Sequence, residues 1–169
     1  MIRPIVRFGD PVLARRASEV TDITDDTREL VDDMIDTMYA APGIGLAAPQ
    51  VGVSLRICVI DVSGGRRGGD VITLINPEFV DRTGMQLEEE GCLSLPGHNA
   101  TVARPERAIV RGLNRAGDTI TIEGTGLLAR ALQHEIDHLD GTLFVDRLRG
   151  LRKDLILRKV RKQQRAGTW

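Results

Sequence analysis

The stretch QHEIDHLDG, Gln133 to Gly141, has the composition of a metal-binding helix. His134 and His138 are four positions apart, so a helix would place both on one face, with Glu135 beside them. Two neutral imidazoles at this spacing can hold a divalent metal ion, and the carboxylate can act as a general base toward water. The alternative is a pair of core histidines bonded to backbone carbonyls. We consider it weaker, because Glu135 would then be buried without a partner.

The apolar pattern around these residues predicts a helix over Thr125–Asp140. Offsets of three and four place both histidines on one stripe with Leu127 and Ala131, beside a second stripe that contains Glu135. We expect both stripes to be buried. The side chains expected to point the other way are those of Arg130, Gln133, Asp137 and Asp140.

A catalytic metal site of this kind needs a third protein ligand and an open position for water. His98, in the turn-like PGHN, is one candidate; Asp140 and Asp146 are others, because many zincin-type proteases take their third ligand after the helix. Cys92, in EEEGCLSLPG, is preferred because thiolate is the strongest donor available. The other cysteine, Cys58, lies in the apolar run LRICVID and is expected to be buried and inert.

The remaining pattern predicts one α+β domain over residues 1–169. Apolar stripes predict a first helix over Asp26–Ala40 and a last helix at about Leu151–Gln164. Strands cluster between helices without βαβ alternation, which favours largely antiparallel sheets. The expected strand pairs are Leu55–Asp61 with Val71–Asn76, across the loop SGGRRGG, and Ala108–Leu113 with Thr119–Glu123.

Bulk composition is that of an ordinary globular protein, with 169 residues, 41% hydrophobic and 28% charged. The formal net charge of −1 gives no whole-protein argument for binding DNA or a membrane. No run approaches the roughly 18 apolar residues of a membrane span, and the N-terminal stretch lacks the apolar core of a signal peptide. We therefore expect a cytoplasmic protein, whose two cysteines form no bridge.

A glycine-rich stretch, GIGLAAPQ at Gly43–Gln50, combines small residues with an amide side chain. Taken alone, it is either a tight helix-to-strand connection or a backbone that another chain approaches closely. Together with EGCLS (Glu90–Ser94) and QHEIDH (Gln133–His138), it resembles the three ordered motifs of the peptide deformylase family. GDPVL at Gly9–Leu13 is similar to that family's start, so the resemblance covers nearly the whole chain.

The resemblance implies an α+β fold with mainly antiparallel sheets packed around a central H-E-x-x-H helix, between N-terminal and C-terminal helices. It implies removal of the formyl group from N-formylmethionyl nascent peptides. The implied metal is Fe²⁺, one per chain, with zinc, nickel or cobalt able to substitute. Mapped onto this sequence, the implied site comprises the metal ligands Cys92, His134 and His138, the catalytic carboxylate Glu135, the oxyanion donors Gln50 and Leu93 N–H, and the substrate-binding residues Ile44 and Gly45.

The chain's C-terminal part is basic, with nine Lys or Arg residues from Arg147 to Trp169 against one acid, Asp154. It is either a solvated helix face or a contact with ribosomal RNA near the exit of nascent chains. The predicted helix can dock on the body through an apolar side. That side comprises Leu151, Leu155, Ile156, Leu157 and Val160.

The motifs do not assign a role to several nearby residues. Glu90 and Arg104 are expected to form an ion pair that supports the loop of Cys92. No role follows for His98 or Asn99, and Arg130 stands where the family often has an apolar residue beside the pocket. Two other functions compete: a zincin-like endopeptidase, which would leave Cys92 idle, and a non-catalytic ribosome-binding module with a structural metal.

Overall fold

The computed structural model describes residues 1–169 as three α-helices and seven β-strands. The helices are α1 (Asp25–Ala40), α2 (Gly126–Leu139) and α3 (Leu151–Ala166). The strands are β1 (Gly45–Ala47), β2 (Ile57–Ile60), β3 (Ile72–Thr83), β4 (Gln86–Cys92), β5 (Leu95–Arg104), β6 (Arg107–Leu113) and β7 (Thr119–Thr125). The α+β class, the three predicted helices and both predicted strand pairs are confirmed.

A five-stranded antiparallel sheet, in the order β1-β2-β3-β6-β7, separates α1 from α2. Strand β2 is buried along its whole length. Its Ile57 and Val59 pack with α1, while Cys58 and Ile60 pack with α2, because successive side chains of a strand point to opposite faces. Burial on both faces explains the unbroken apolar run, and it confirms the prediction that Cys58 is buried.

Helix α1 delivers the chain to GIGLAAPQ. At its end, the backbone N–H of Gly43 donates to the carbonyl oxygen of Met38 at 2.7 Å. The chain then forms β1 and a short 3₁₀ turn, Ala48–Val51. This stretch is therefore a tight connection, and it is also an edge strand, since β1 pairs only with β2.

The hairpin β4–β5 was not predicted, and the interpretation of PGHN as a turn was wrong, because Gly97 and His98 lie inside β5. The turn is at Leu93 and Ser94. The inward positions of β4 are Gln86 and Glu90, which are buried although they are polar. A hydrophobic alternation is therefore absent from the strand that carries Cys92.

The expected orientation of α2 needs correction on one side. Arg130, Gln133 and Asp137 are buried, at 4%, 3% and 7% exposure, because their polar side chains form hydrogen bonds with the hairpin β4–β5 and the chain just after it. Conversely Leu127, expected to be buried, is 52% exposed. Helix α2 is thus covered by protein on both sides and lies at the centre of the fold.

Helix α3 docks through a narrower surface than expected. Val160 is buried, with Ile156 and Leu157 packed around it, whereas Leu151 and Leu155 are 68% and 43% exposed. None of the helices has the length and apolar character that a membrane crossing requires.

Candidate active site

Both histidines of α2 face Cys92. The Nε2 atoms of His134 and His138 lie 3.2 Å apart, and His138 Nε2 lies 3.4 Å from Cys92 Sγ. The three ligand atoms lie within 4.8 Å of one another. The helix supplies two of them because residues four apart share a face.

Cys92 reaches the histidines because β4 ends there. The pairing of β4 with β5 shifts register between Gly91 and Cys92, immediately before the turn at Leu93 and Ser94. The turn is tied to neighbouring segments, since Ser94 O accepts from the N–H of Phe8 at 2.9 Å. A strand end and a tight turn thus set the thiol position.

Glu90 fixes the ring of His134. Its Oε1 lies 2.6 Å from His134 Nδ1, while Arg104 donates to both carboxylate oxygens at 2.7 Å and Arg130 donates at 2.5 Å. Burial would raise the pKa of Glu90, but the hydrogen bonds from Arg104 and His134 outweigh it and hold the pKa well below its usual range. An ionised carboxylate only accepts, so His134 Nδ1 carries a proton. Burial would lower the pKa of His134, but the charge of Glu135 and the hydrogen bonds to Cys92 and Glu90 raise it well above its usual value, so the Nε2 proton must leave before this ring can bind a metal.

The donor set fits a divalent metal ion. Donors at 2.0–2.3 Å from one ion in tetrahedral geometry lie roughly 3.3–3.8 Å apart, close to the separations found here. Burial lowers the pKa of His138 well below its usual value, so this ring is neutral, as a ligand must be. Three protein donors leave one position free for a water or substrate oxygen.

The other candidate ligands are engaged elsewhere. His98 Nε2 lies 2.8 Å from Gln163 Oε1 on α3. Asp140 pairs with Arg56 at 3.0 Å, and Asp146 accepts the backbone N–H of Leu143 at 2.9 Å. The arrangement therefore lacks the third ligand that a zincin-like protease takes after its helix.

Glu135 lies beside the three donors, and Gly45 makes room for it. A Cβ on residue 45 would lie 2.5 Å from Glu135 Oε2, so any larger residue would displace the carboxylate. Burial raises the pKa of Glu135 to about 7, and its Oε1 has no hydrogen-bond partner. A buried carboxylate with a free oxygen and this pKa is suited to taking and returning a proton.

Gln50 is held with its amide group directed at the same site. Its Oε1 accepts the backbone N–H of Ala47 at 3.0 Å, which leaves the amide nitrogen 3.2 Å from Ser94 Oγ and 3.6 Å from Cys92 Sγ. Leu93 lies next to Cys92, and its side chain packs where a Cβ on Gly43 would be.

These groups line a cavity of about 760 Å³. Ile44 and Leu127 contribute partly exposed apolar side chains to its wall, at 37% and 52% exposure. Strand β1 leaves one edge unpaired, and the cavity wall includes its Gly45. An extended peptide can pair with an edge of this kind. The residues predicted for the site that line this cavity are Ile44, Gly45, Gln50, Cys92, Leu93, His134 and Glu135, with His138 behind them.

The residues that support the site from behind were mostly missed. The Glu90–Arg104 pair was expected and is present, but Arg130 and Asp137 extend it into a buried network, with the partly exposed Arg147 at its outer edge. Arg130 binds Glu90 and the Val102 carbonyl, so its charge is not free at the pocket rim.

The only sequence signal for Ser94 was its place in EGCLS.

Comparison with known proteins identifies the family. The family model for polypeptide deformylase matches residues 2–154. The chain belongs to the peptide deformylase family. A peptide deformylase of Acidobacterium capsulatum is 54% identical over 169 residues, covering 100% of this chain and 99% of that protein. Like the other members of this family, the present chain is an enzyme that hydrolyses the formyl group from the amino terminus of newly synthesised proteins.

Solved deformylase structures agree in fold. One from Legionella pneumophila has a TM-score of 0.92 and 46% identity, covering 99% of this chain and 98% of that one. One from Ehrlichia chaffeensis in complex with actinonin has a TM-score of 0.90 and 41% identity, covering 97% and 98%. The resemblance seen in the three motifs is thus confirmed at the level of family and fold.

Proposed function

We propose that this deformylase holds one divalent metal ion with Cys92, His134 and His138, and uses Glu135 as its general base. The observation that carries the proposal is the convergence of three donor atoms beside a buried carboxylate with one free oxygen. When bound, the metal would lower the pKa of a water molecule and polarise the formyl oxygen. Residues 1–169 would act as one domain, since both sheets contribute to this site.

Glu135 then moves the proton. It accepts a proton from the water as the water oxygen bonds to the formyl carbon, and it returns that proton to the amide nitrogen as the carbon–nitrogen bond breaks. Formate and a free α-amine are the products. Negative charge that develops on the formyl oxygen is stabilised by the Gln50 amide and the Leu93 N–H.

The substrate chain is bound by the cavity wall. Gly45 offers edge-strand backbone to the peptide, and Ile44 borders the methionine side chain. Binding along the edge strand places the formyl group at the inner end of the chain, beside Cys92 and Glu135.

Formate release from a formyl-Met tripeptide, by anaerobically prepared protein, tests the role of Glu135. Replacing a general base typically costs about 10²–10⁴-fold in rate. We expect a loss of that order in kcat for Glu135→Gln with metal content unchanged. Asp140→Asn is the matched control, because it removes an acid of similar size just after α2, outside the cavity. A Glu135→Gln enzyme as fast as the parent would overturn the proposed role.

The thiol ligand has a test that does not depend on turnover. In metal-free protein Cys92 should react with iodoacetamide, and added Zn²⁺ should protect it, since a coordinated thiolate is withdrawn from alkylation. Cys58 is the internal control, because burial raises its thiol pKa and removes it from the reagent. Equal labelling of Cys92 with and without metal would exclude it as a ligand.

Ferrous iron is the metal we propose, with zinc, nickel or cobalt able to take its place. The imidazole and thiolate donors alone suit zinc equally; the family resemblance favours iron. An iron–thiolate site should lose activity in air, while zinc-loaded protein should not. Equal stability of the two forms in air would count against iron.

We propose that the protein acts in the cytoplasm and that α3 contacts the ribosome. Lys159 and Lys162 are exposed on a helix whose apolar contact is confined to a few residues. Exposed cations of this kind bind nucleic-acid phosphates. We expect Lys159→Glu with Lys162→Glu to weaken co-sedimentation with ribosomes. Arg66→Glu with Arg67→Glu, on an exposed loop, makes the same change in charge and should not.

A further inference from the structure

The N-terminal segment contributes an arginine to the cavity that the proposed chemistry does not use. Arg3 and Arg7 both line the cavity. Arg3 is neutralised by Asp33 at 2.9 Å. Arg7 is exposed and has no carboxylate partner; its guanidinium lies over the ring of Trp169, 5.8 Å from the centroid.

The backbone at Arg7 is held in place by hydrogen bonds that the residues before and after it form. The N–H of Val6 donates to Gln50 O at 2.8 Å, and the N–H of Phe8 donates to Ser94 O at 2.9 Å. The ring of Trp169 is anchored in turn, since its Nε1–H donates to Phe8 O at 2.8 Å. The Arg7 backbone is therefore fixed relative to the two segments that carry Gln50 and Cys92.

The other charged residues in the cavity wall, with one exception, already have an ion-pair partner or a proposed catalytic role. Arg130 and Glu90 are bonded to each other, and Glu135 lies at the reaction centre. Glu89, exposed on β4, is the remaining cavity charge without an ion-pair partner. Arg7 is thus the single unpaired cation available to a bound chain.

We propose that Arg7 is a specificity-determining residue that binds an acidic side chain of the substrate, downstream of the formylated methionine. The inference rests on the proposed active site, because a formyl group beside Glu135 makes the chain leave along the cavity wall where Arg7 is exposed. The cation–π contact with Trp169, at 5.8 Å, limits the positions that the guanidinium samples, so less conformational entropy is lost when it binds. Glu89 acts in the opposite sense and repels acidic chains.

The test is kcat/KM for formyl-Met peptides with amidated C-termini, in which Asp or Lys occupies the second, third or fourth position. At one position we expect the parent to prefer Asp by roughly threefold to fivefold, the upper part of the range of an exposed ion pair. Arg7→Glu should reverse that preference, mainly through KM, because the contact is remote from the reacting bond. The preference should fade at about 1 M salt.

Arg82→Glu is the matched control, since Arg82 is also an exposed arginine stacked on an aromatic ring, Phe79, but lies outside the cavity. It should leave the preference unchanged, whereas Glu89→Gln should increase it. Arg7→Gln, which keeps the stem but not the charge, should abolish it and serves if Arg7→Glu does not fold. An unchanged Asp-to-Lys ratio in a folded Arg7 variant overturns this proposal. Failure of every peptide to release formate would instead overturn the proposed active site.

Discussion

The two sides of α2 are packed by different kinds of interaction. Toward the five-stranded sheet the helix presents apolar side chains, among them the fully buried Leu132 and Leu139, which pack on Leu74 and Val110. Toward the β4–β5 hairpin it presents Arg130, His134 and Asp137, which are held by ion pairs and hydrogen bonds.

The two kinds of packing contribute differently to the stability of the fold and to the orientation of the side chains in the candidate site. Apolar contact is non-directional, so it holds the helix against the sheet without fixing an angle for any ring. The hydrogen bonds of Glu90 and Arg104 are directional, and they set which nitrogen of His134 faces the metal position. Changes on the apolar side should therefore affect only the stability of the fold. Changes on the polar side should affect both the stability of the fold and the affinity for metal.

The largest effect is expected for Arg104→Ala, on the polar side. It leaves Glu90 and Asp137 buried with fewer partners, and breaking a buried pair in this way typically costs about 3–5 kcal/mol. Metal affinity should also fall by about 10–100-fold, as it does when an outer partner of a ligand is lost. Denaturant unfolding and metal titration measure the two losses separately.

A triple variant sharpens that prediction. Glu90→Gln with Arg104→Met and Arg130→Met removes the carboxylate together with both buried guanidinium groups that bind it, so it should be more stable than Arg104→Ala alone. Its metal affinity should stay low, because His134 has then lost its carboxylate. If Arg104→Ala retains full metal content and activity, the ion pair has no supporting role.

A loss of stability alone is expected for Leu132→Ala, on the apolar side. The side chain is fully buried, and a cavity of this kind typically costs about 3 kcal/mol. The folded variant should bind metal as the parent does, since no directional contact changes. Leu151→Ala is the control, because an exposed leucine should matter by less than about 0.5 kcal/mol. A Leu132→Ala protein that loses metal affinity would end the distinction between the two sides.

The same contrast explains which features could be predicted from the sequence. The apolar stripe of α2 and the paired strands follow from hydrophobic periodicity, so the helix and its histidines were placed correctly. The hairpin was missed because its buried positions include Gln86, Glu90 and Arg104. Polar residues are buried only when partners exist, and these partners are distant in sequence, Arg130 lying forty positions beyond Glu90.

The candidate site was predictable to a similar degree. Residue type and spacing gave His134, Glu135 and His138, but from the residues alone Cys92 was preferred over three other candidates only for its donor strength. The structure separates them by geometry, since β4 ends at Cys92 beside the histidines and His98 is turned toward α3. The need for glycine at Gly45 comes from the approach of Glu135, which lies ninety positions later in the chain.

The smallest effect is expected for Arg147→Ala, at the outer edge of the polar side. Its guanidinium donates to both oxygens of Asp137 at 2.6 and 2.7 Å, but its side chain is 43% exposed. Asp137 keeps Arg104 as a partner, so the cost should be below about 1 kcal/mol and should shrink at high salt. Metal titration should give the parent's affinity. A cost equal to that of Arg104→Ala would mean that the polar side acts as one cooperative unit, in which an exposed arginine positions His134 as strongly as a buried one.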